Sequence, residues 1–185
     1  KPVKKVDNIY LTGVSEEPFY QYLKAKSSNY YKGYSIVEYN KTERYYMPDI
    51  IFYDKQLGIL IDIEIDEPYL GSDGSPIHYK GSDDKRNKFF KDKGWIVIRF
   101  AEEQVVKYPE NCYVFIENLI HNIQNAKFGL NLGELVSIPL WSKDDAHKMA
   151  FGRIRNNYLS KNLIEYISKE RIVEVQDDEE DFLPL

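Results

Sequence analysis

Residues 46–67, reading YMPDIIFYDKQLGILIDIEIDE, constrain the fold of this chain more than any other stretch. Two apolar runs flank Asp54-Lys55-Gln56-Leu57-Gly58, a turn-forming cluster, and the pattern predicts a β-hairpin. In the second run Ile59, Ile61, Ile63 and Ile65 alternate with Leu60, Asp62, Glu64 and Asp66. Period two in β-branched residues is a strand with one buried face. A loop from Lys55 to Gly58 sets Asp54 opposite Ile59 and Asp49 opposite Glu64. Directly opposed residues project to the same side, so Asp49 joins Asp62, Glu64 and Asp66 on one face. Ile50, Phe52 and the four isoleucines form the other face, ready to be covered by a helix. Carboxylates crowded on one side of an apolar hairpin repel one another, and a cation, protons or water must make the cluster tolerable.

The rest of the chain supplies elements to surround that hairpin. Residues 1–13 carry no strong period. Ser15 then reads as a helix N-cap, with Glu16 and Glu17 in the first turn and Phe19, Tyr20, Tyr22 and Leu23 following, to about Lys26. Tyr34 to Tyr39 is a short strand, and residues 40–44 are a polar connection. After Asp66 come Pro68, Gly71, Gly74, Pro76 and Gly81, a loop leaving the carboxylate end of the central strand. Asp83 or Asp84 caps a helix to Lys93 with Phe89 and Phe90 inward, and Trp95 to Phe100 is the next strand. Cys112, Phe115, Ile116, Leu119, Ile120 and Ile123 keep helical spacing from about Glu110 to Asn125. This order gives an α/β sandwich with a mixed central sheet.

Beyond a connector at 128–139, Asp144 or Asp145 opens a helix carrying Ala146, Met149, Ala150, Ile154 and Tyr158, and a second runs from Asn162 to about Lys169. Trp141, Arg153 and Arg155 read as packing and surface residues. The expectation is a core domain over 1–128 and a helical C-terminal extension over 129–185 that ends in an acidic tail.

Charge bears on what such a chain binds. Net charge is −5, but Asp177, Asp178, Glu179, Glu180 and Asp181 alone contribute five negatives, so the body is neutral. The single Cys112 excludes an internal disulfide and a Cys-rich zinc site, and His78, His121 and His147 show no ligand spacing. No long apolar run or signal-like start is present, so the expectation is a cytoplasmic protein without a membrane partner.

Pro48-Asp49, a turn and an acidic strand resemble the PD-(D/E)XK nuclease superfamily, which has the restriction-endonuclease-like fold. The likeness extends to the branch related to very-short-patch-repair endonucleases. The residues that carry it are Glu64-Ile65-Asp66, Asp83-Asp84-Lys85-Arg86 and Gly94-Trp95-Ile96-Val97-Ile98-Arg99-Phe100, with Glu17 in the first helix. The third motif position holds no lysine, and Asp62-x-Glu64-x-Asp66 offers two frames, D-x-E and E-x-D. The flanking pattern favours E-x-D. A histidine follows late, at His78, after a Gly/Pro-rich insertion.

The resemblance implies a restriction-endonuclease-like core and a Mg2+- or Mn2+-dependent endonuclease acting on DNA, or on RNA. It would serve as the nuclease module of a repair, restriction or phage-defence system, alongside other subunits or domains. Carboxylate oxygens on a rigid strand pair suit hard divalent cations. Asp49 and Glu64 would be the primary metal ligands, the Ile65 carbonyl a third, and Asp66 a further ligand or the holder of the attacking water. Glu17 would reach the metal directly or through water. His78, Lys80, Lys85 and Arg86 would position water or contact phosphate. Arg99 reads as structural, pairing with Glu103 or a helix end. A different class stays open: a nuclease-fold module with a degraded metal site that binds nucleic acid or a partner protein.

Overall fold

The computed structural model describes residues 3–5, 10–11, 13–37, 45–125, 132–160 and 172–173. The hairpin at its centre joins strands Ile50–Asp54 (β6) and Ile59–Asp66 (β7) in antiparallel register. Asp54 pairs with Ile59 and Ile51 with Asp62, as the loop length predicts. Tyr30–Tyr31 (β3) extends the sheet beyond β6, and Ile96–Ala101 (β8) lies parallel to β7 on the other side. The four-stranded order is β3-β6-β7-β8, a mixed sheet. Parallel neighbours need a crossover, and the segment between β7 and β8 supplies it through helix Asp84–Asp92 (α2).

The isoleucine face forms the main core. Ile59, Ile61, Ile63 and Ile65 pack with Phe19 and Leu23 of helix Glu16–Lys26 (α1) and Val105 of helix Glu102–Lys107 (α3). Cys112, Ile116 and Ile120 of helix Pro109–Gln124 (α4) complete it, with Pro109 in the first turn, where its missing N–H costs nothing. The opposite face is also covered. Ile51, Tyr53, Phe90 and Trp95 form a second core with Tyr34 and Ile36 of strand Tyr34–Val37 (β4). That strand sits between Val3–Lys5 (β1) and Tyr45–Tyr46 (β5) in a separate three-stranded sheet, and Tyr10–Leu11 (β2) pairs with Ile172–Val173 (β9). The short strands at 3–5 and 10–11 therefore depart from the patternless reading of the N-terminus. The carboxylate face is consequently no open surface, and Asp62 is completely buried.

At the C-terminal side, helix Lys143–Phe151 (α5) is capped by Ser142 rather than opened by Asp144 or Asp145. Ser142 Oγ accepts from the Asp145 amide at 3.1 Å and the Asp145 carboxylate accepts from the Ser142 amide at 3.2 Å. The helix stops at Phe151, and Ile154 belongs to a following 3-10 turn, Ile154–Asn157. The expected helix from Asn162 lies outside the described residues, as does the polar connection at 40–44. Among the described residues no helix is long and apolar enough to cross a membrane.

Candidate functional site

The alternation that buries the isoleucines places the acids. Along β7 the second face runs from Leu60 through Asp62 and Glu64 to Asp66, from apolar core toward the carboxyl end of the parallel pair. Asp49 stands at the entry to β6 and continues the register opposite Glu64. Its Oδ2 accepts the Ile65 amide at 2.7 Å, and its own amide lies 3.4 Å from Glu64 Oε1. Asp49 and Glu64 thus meet, as the hairpin predicts. Burial, then the Glu64 charge, pushes the Asp49 pKa up to about 8, against the pull of Arg86.

The neighbouring acids divide into paired and unpaired groups. Arg86 of α2 donates to Glu64 and to the Met47 carbonyl, joining helix, strand and hairpin entry. Arg99 lies opposite Glu64 in the parallel register and grips Asp66 with two nitrogens, Nε at 2.9 Å. Its guanidinium also reaches Asn87 Oδ1 at 3.1 Å and Asp83 at 3.3 Å. Arg99 is structural in this sense, but its partners are Asp66 and Asp83, not Glu103. Among the described residues no donor reaches either oxygen of Asp62. Burial raises its pKa to about 6, and burial followed by the Asp62 charge raises that of Glu64 well above the usual range.

A second acidic group stands at the start of α1, where the structure departs from the expected glutamate. Glu17 projects outward with a side chain 57% exposed and pairs with Lys32 at 3.2 Å. Glu16 instead turns inward, buried, within 3.3 Å of the same lysine. Burial and then Asp49 lift its pKa to about 8. Glu67 completes this group. It is buried, its Oε1 has no hydrogen-bond partner among the described residues, and burial followed by the charges of Glu102 and Glu16 raises its pKa well above the usual range. Both glutamates crowd Gly13, where any Cβ would collide with Glu67 Oε1. Glu67 follows the E-x-D motif by one residue, and the alternation that sends Ile59, Ile61, Ile63 and Ile65 toward α1 continues to it. Two adjacent glutamates in a first helical turn differ by about 100° of rotation, and the only available signal is that Glu16, with Phe19 and Leu23, lies on the apolar stripe.

His78 sits at the junction of the paired acids, with Nδ1 3.2 Å from Asp83, 3.6 Å from Asp66 and 3.1 Å from Arg99. Its backbone φ is +47°, a left-handed conformation uncommon outside glycine. Burial pushes the Asp83 carboxyl up, but hydrogen bonds from His78 and Ser82 and the Arg99 charge outweigh it and hold the group below the usual range. Lys80 and Lys85 are exposed and stand without acidic partners among the described residues.

The C-terminal segment closes the far side. Arg155, against the surface reading, is buried. Its Nε and a terminal nitrogen each donate to Glu102 at 2.7 Å, and another donates to the Tyr69 carbonyl at 2.9 Å. Tyr158 and Ser15 hydroxyls donate to the same glutamate at 2.9 and 3.2 Å. Trp141 packs as expected and donates through Nε1 to the Ile77 carbonyl at 3.3 Å.

Glu16, Asp49, Glu64 and Glu67 are hard oxygen donors whose pKa values are raised by burial first and then by neighbouring acids, a donor type that would suit a divalent cation. Their spacing is not that of a closed cage: among the described residues no group of three or more His, Cys, Asp or Glu side chains is placed to hold a metal ion. Compared with known proteins, the chain matches no family model, no curated protein and no solved structure.

Proposed function

We propose that this chain is a divalent-metal-dependent nuclease that hydrolyses phosphodiester bonds in DNA. The observation that supports the reading is the pairing of Asp49 with Glu64 at the mouth of the hairpin, with buried Glu16 and Glu67 crowded beside it. Asp49, Glu64 and the Ile65 carbonyl would hold the cation, and Glu16 takes the place assigned to Glu17. A bound dication supplies a hydroxide at neutral pH and offsets the charge that builds on the phosphorus oxygens.

The chain's own residues set the stage for that chemistry. The Ile65 amide fixes the Asp49 carboxylate, so one ligand oxygen is oriented before any cation arrives. Asp66 is aligned by Arg99, and His78 adjoins both. That trio can orient water or a phosphate oxygen at the strand ends. Lys80 and Lys85 lie where backbone phosphates would be met, while Arg86 is engaged with Glu64.

Incubation with single-stranded, duplex and mismatched DNA, and with RNA, in Mg2+ or Mn2+ tests the reading. Cleavage that chelator abolishes, and that Asp49→Asn and Glu64→Gln each remove, supports it. Both variants cutting at the wild-type rate would overturn it. One observation favours a degraded module that binds without cutting: arginines already neutralise Glu64 and Asp66. Under that reading Mn2+ leaves the melting temperature unmoved.

A further inference from the structure

We propose that the cavity beside the carboxylates is a receptor for one unstacked nucleobase, with the attached phosphate held at its rim. The cavity measures about 470 Å³ and opens at the carboxyl ends of β7 and β8, where Asp66, Arg99 and Ala101 line it. Open α/β sheets present ligand crevices at that end of their strands. Residues 78–84 and the first turn of α2 form one wall, and the segment from Leu135 to Trp141 forms the other.

The lining discriminates among ligand types. An anion entering would meet the carboxylates of Asp66, Asp83 and Asp84 and a guanidinium, Arg99, already engaged by Asp66 and Asp83. A purely apolar ligand would strip water from those groups and return no hydrogen bonds. A neutral planar heterocycle with donors and acceptors on its edge suits both conditions. Tyr79, half-buried, supplies an aromatic surface for stacking beside the buried Trp141, and, among the described residues, Asn87, whose oxygen is taken by Arg99, keeps its amide hydrogens for an acceptor. Base–aromatic stacking tolerates any base.

The cavity is also preformed, which limits the entropy lost on binding. The Trp141 indole donates to the Ile77 carbonyl at 3.3 Å, and the Lys80 amide donates to the Trp141 carbonyl at 3.0 Å, so the two walls are tied together. His78 holds its left-handed backbone inside that brace. Cations stand outside. Lys143 Nζ lies 5.8 Å from the Tyr79 ring centre, Lys80 is adjacent in sequence, and both are exposed without acidic partners among the described residues. Base inward and phosphate outward is the polarity of a nucleotide. The choice of nucleic acid as the source of the base rests on the nuclease reading; the choice of a neutral planar heterocycle does not.

The test is fluorescence anisotropy of the full chain in EDTA with two probes. One is a short single-stranded oligodeoxynucleotide, and the other is the same strand with abasic sugars throughout. The base-bearing strand should bind about tenfold tighter, the worth of roughly one stacked base. Ser137→Trp, which fills the cavity from an exposed wall position, should remove that preference while leaving the salt-dependent affinity for both strands. Trp141→Leu, checked for folding by circular dichroism, should do the same. Equal affinity for both strands in the unsubstituted chain overturns the proposal, as does a preference that Ser137→Trp leaves intact. Cleavage is measured in parallel with Mn2+. A retained base preference without cleavage sinks the nuclease reading and leaves this one standing.

Discussion

Glu16 and Asp49 carry the clearest consequence at the scale of single residues, because each holds its proton in the fold to about pH 8. In the unfolded chain they release it near 4.5 and 3.8. Between those limits the folded state binds more protons than the unfolded state, so stability is greatest in acid and falls as pH rises. The slope is up to about 1.4 kcal/mol per pH unit for each group. Asp83 has the opposite sign, but its titration lies below this window. Thermal melts in chelator from about pH 5 to 8 should therefore show a falling melting temperature, and Asp49→Asn should flatten the curve and stabilise the fold at its alkaline end. A melting temperature that rises across the window would contradict the burial of these acids. The two first-turn glutamates separate as sharply in activity. Glu16→Gln should lower cleavage by about 10–100-fold, whereas Glu17→Gln should leave it near wild type.

At the scale of elements, the ion pair between α3 and the 3-10 turn fastens the C-terminal segment to the body. Glu102 is wholly buried and receives Arg155, Tyr158 and Ser15, so two distant parts of the chain converge on one carboxylate. Arg155→Ala strands that charge and should cost about 3–5 kcal/mol in urea denaturation. Arg155→Met with Glu102→Gln should restore much of the loss, since the buried charge is then gone. The hairpin, its register and the meeting of Asp49 with Glu64 were legible in residues 46–67 because strand period and loop length are local properties. The strands at Tyr30 and Tyr45 span two residues each, too few to carry a period. Arg155 finds Glu102 across 53 positions of sequence, and no local pattern encodes that meeting. The choice of Glu16 over Glu17 likewise depends on where α1 lands on the sheet.

For the whole molecule, acids lie buried at the strand ends, while Lys80 on the loop after β7 and Lys85 in α2 stand exposed. Nucleic-acid binding should weaken with salt, and replacing Lys80 and Lys85 with alanine should reduce the slope of log affinity against log salt by about two. A slope unchanged by that double replacement would move the interface elsewhere. Mn2+ should raise the melting temperature of the wild type and fail to do so in Asp49→Asn.

Arg86 gives the seat on Glu64 a different meaning. Its guanidinium occupies the oxygen that a cation would use, and its buried Nε has no partner among the described residues. On the proposed function the arginine would be a built-in competitor for that seat. Loading would then be an exchange in which a tethered monocation yields to a free dication, and the displaced guanidinium would be free to meet a phosphate. Arg86→Met should then bind Mn2+ more tightly than the wild type in calorimetric titration, while melting lower in its absence, a trade between readiness and repose.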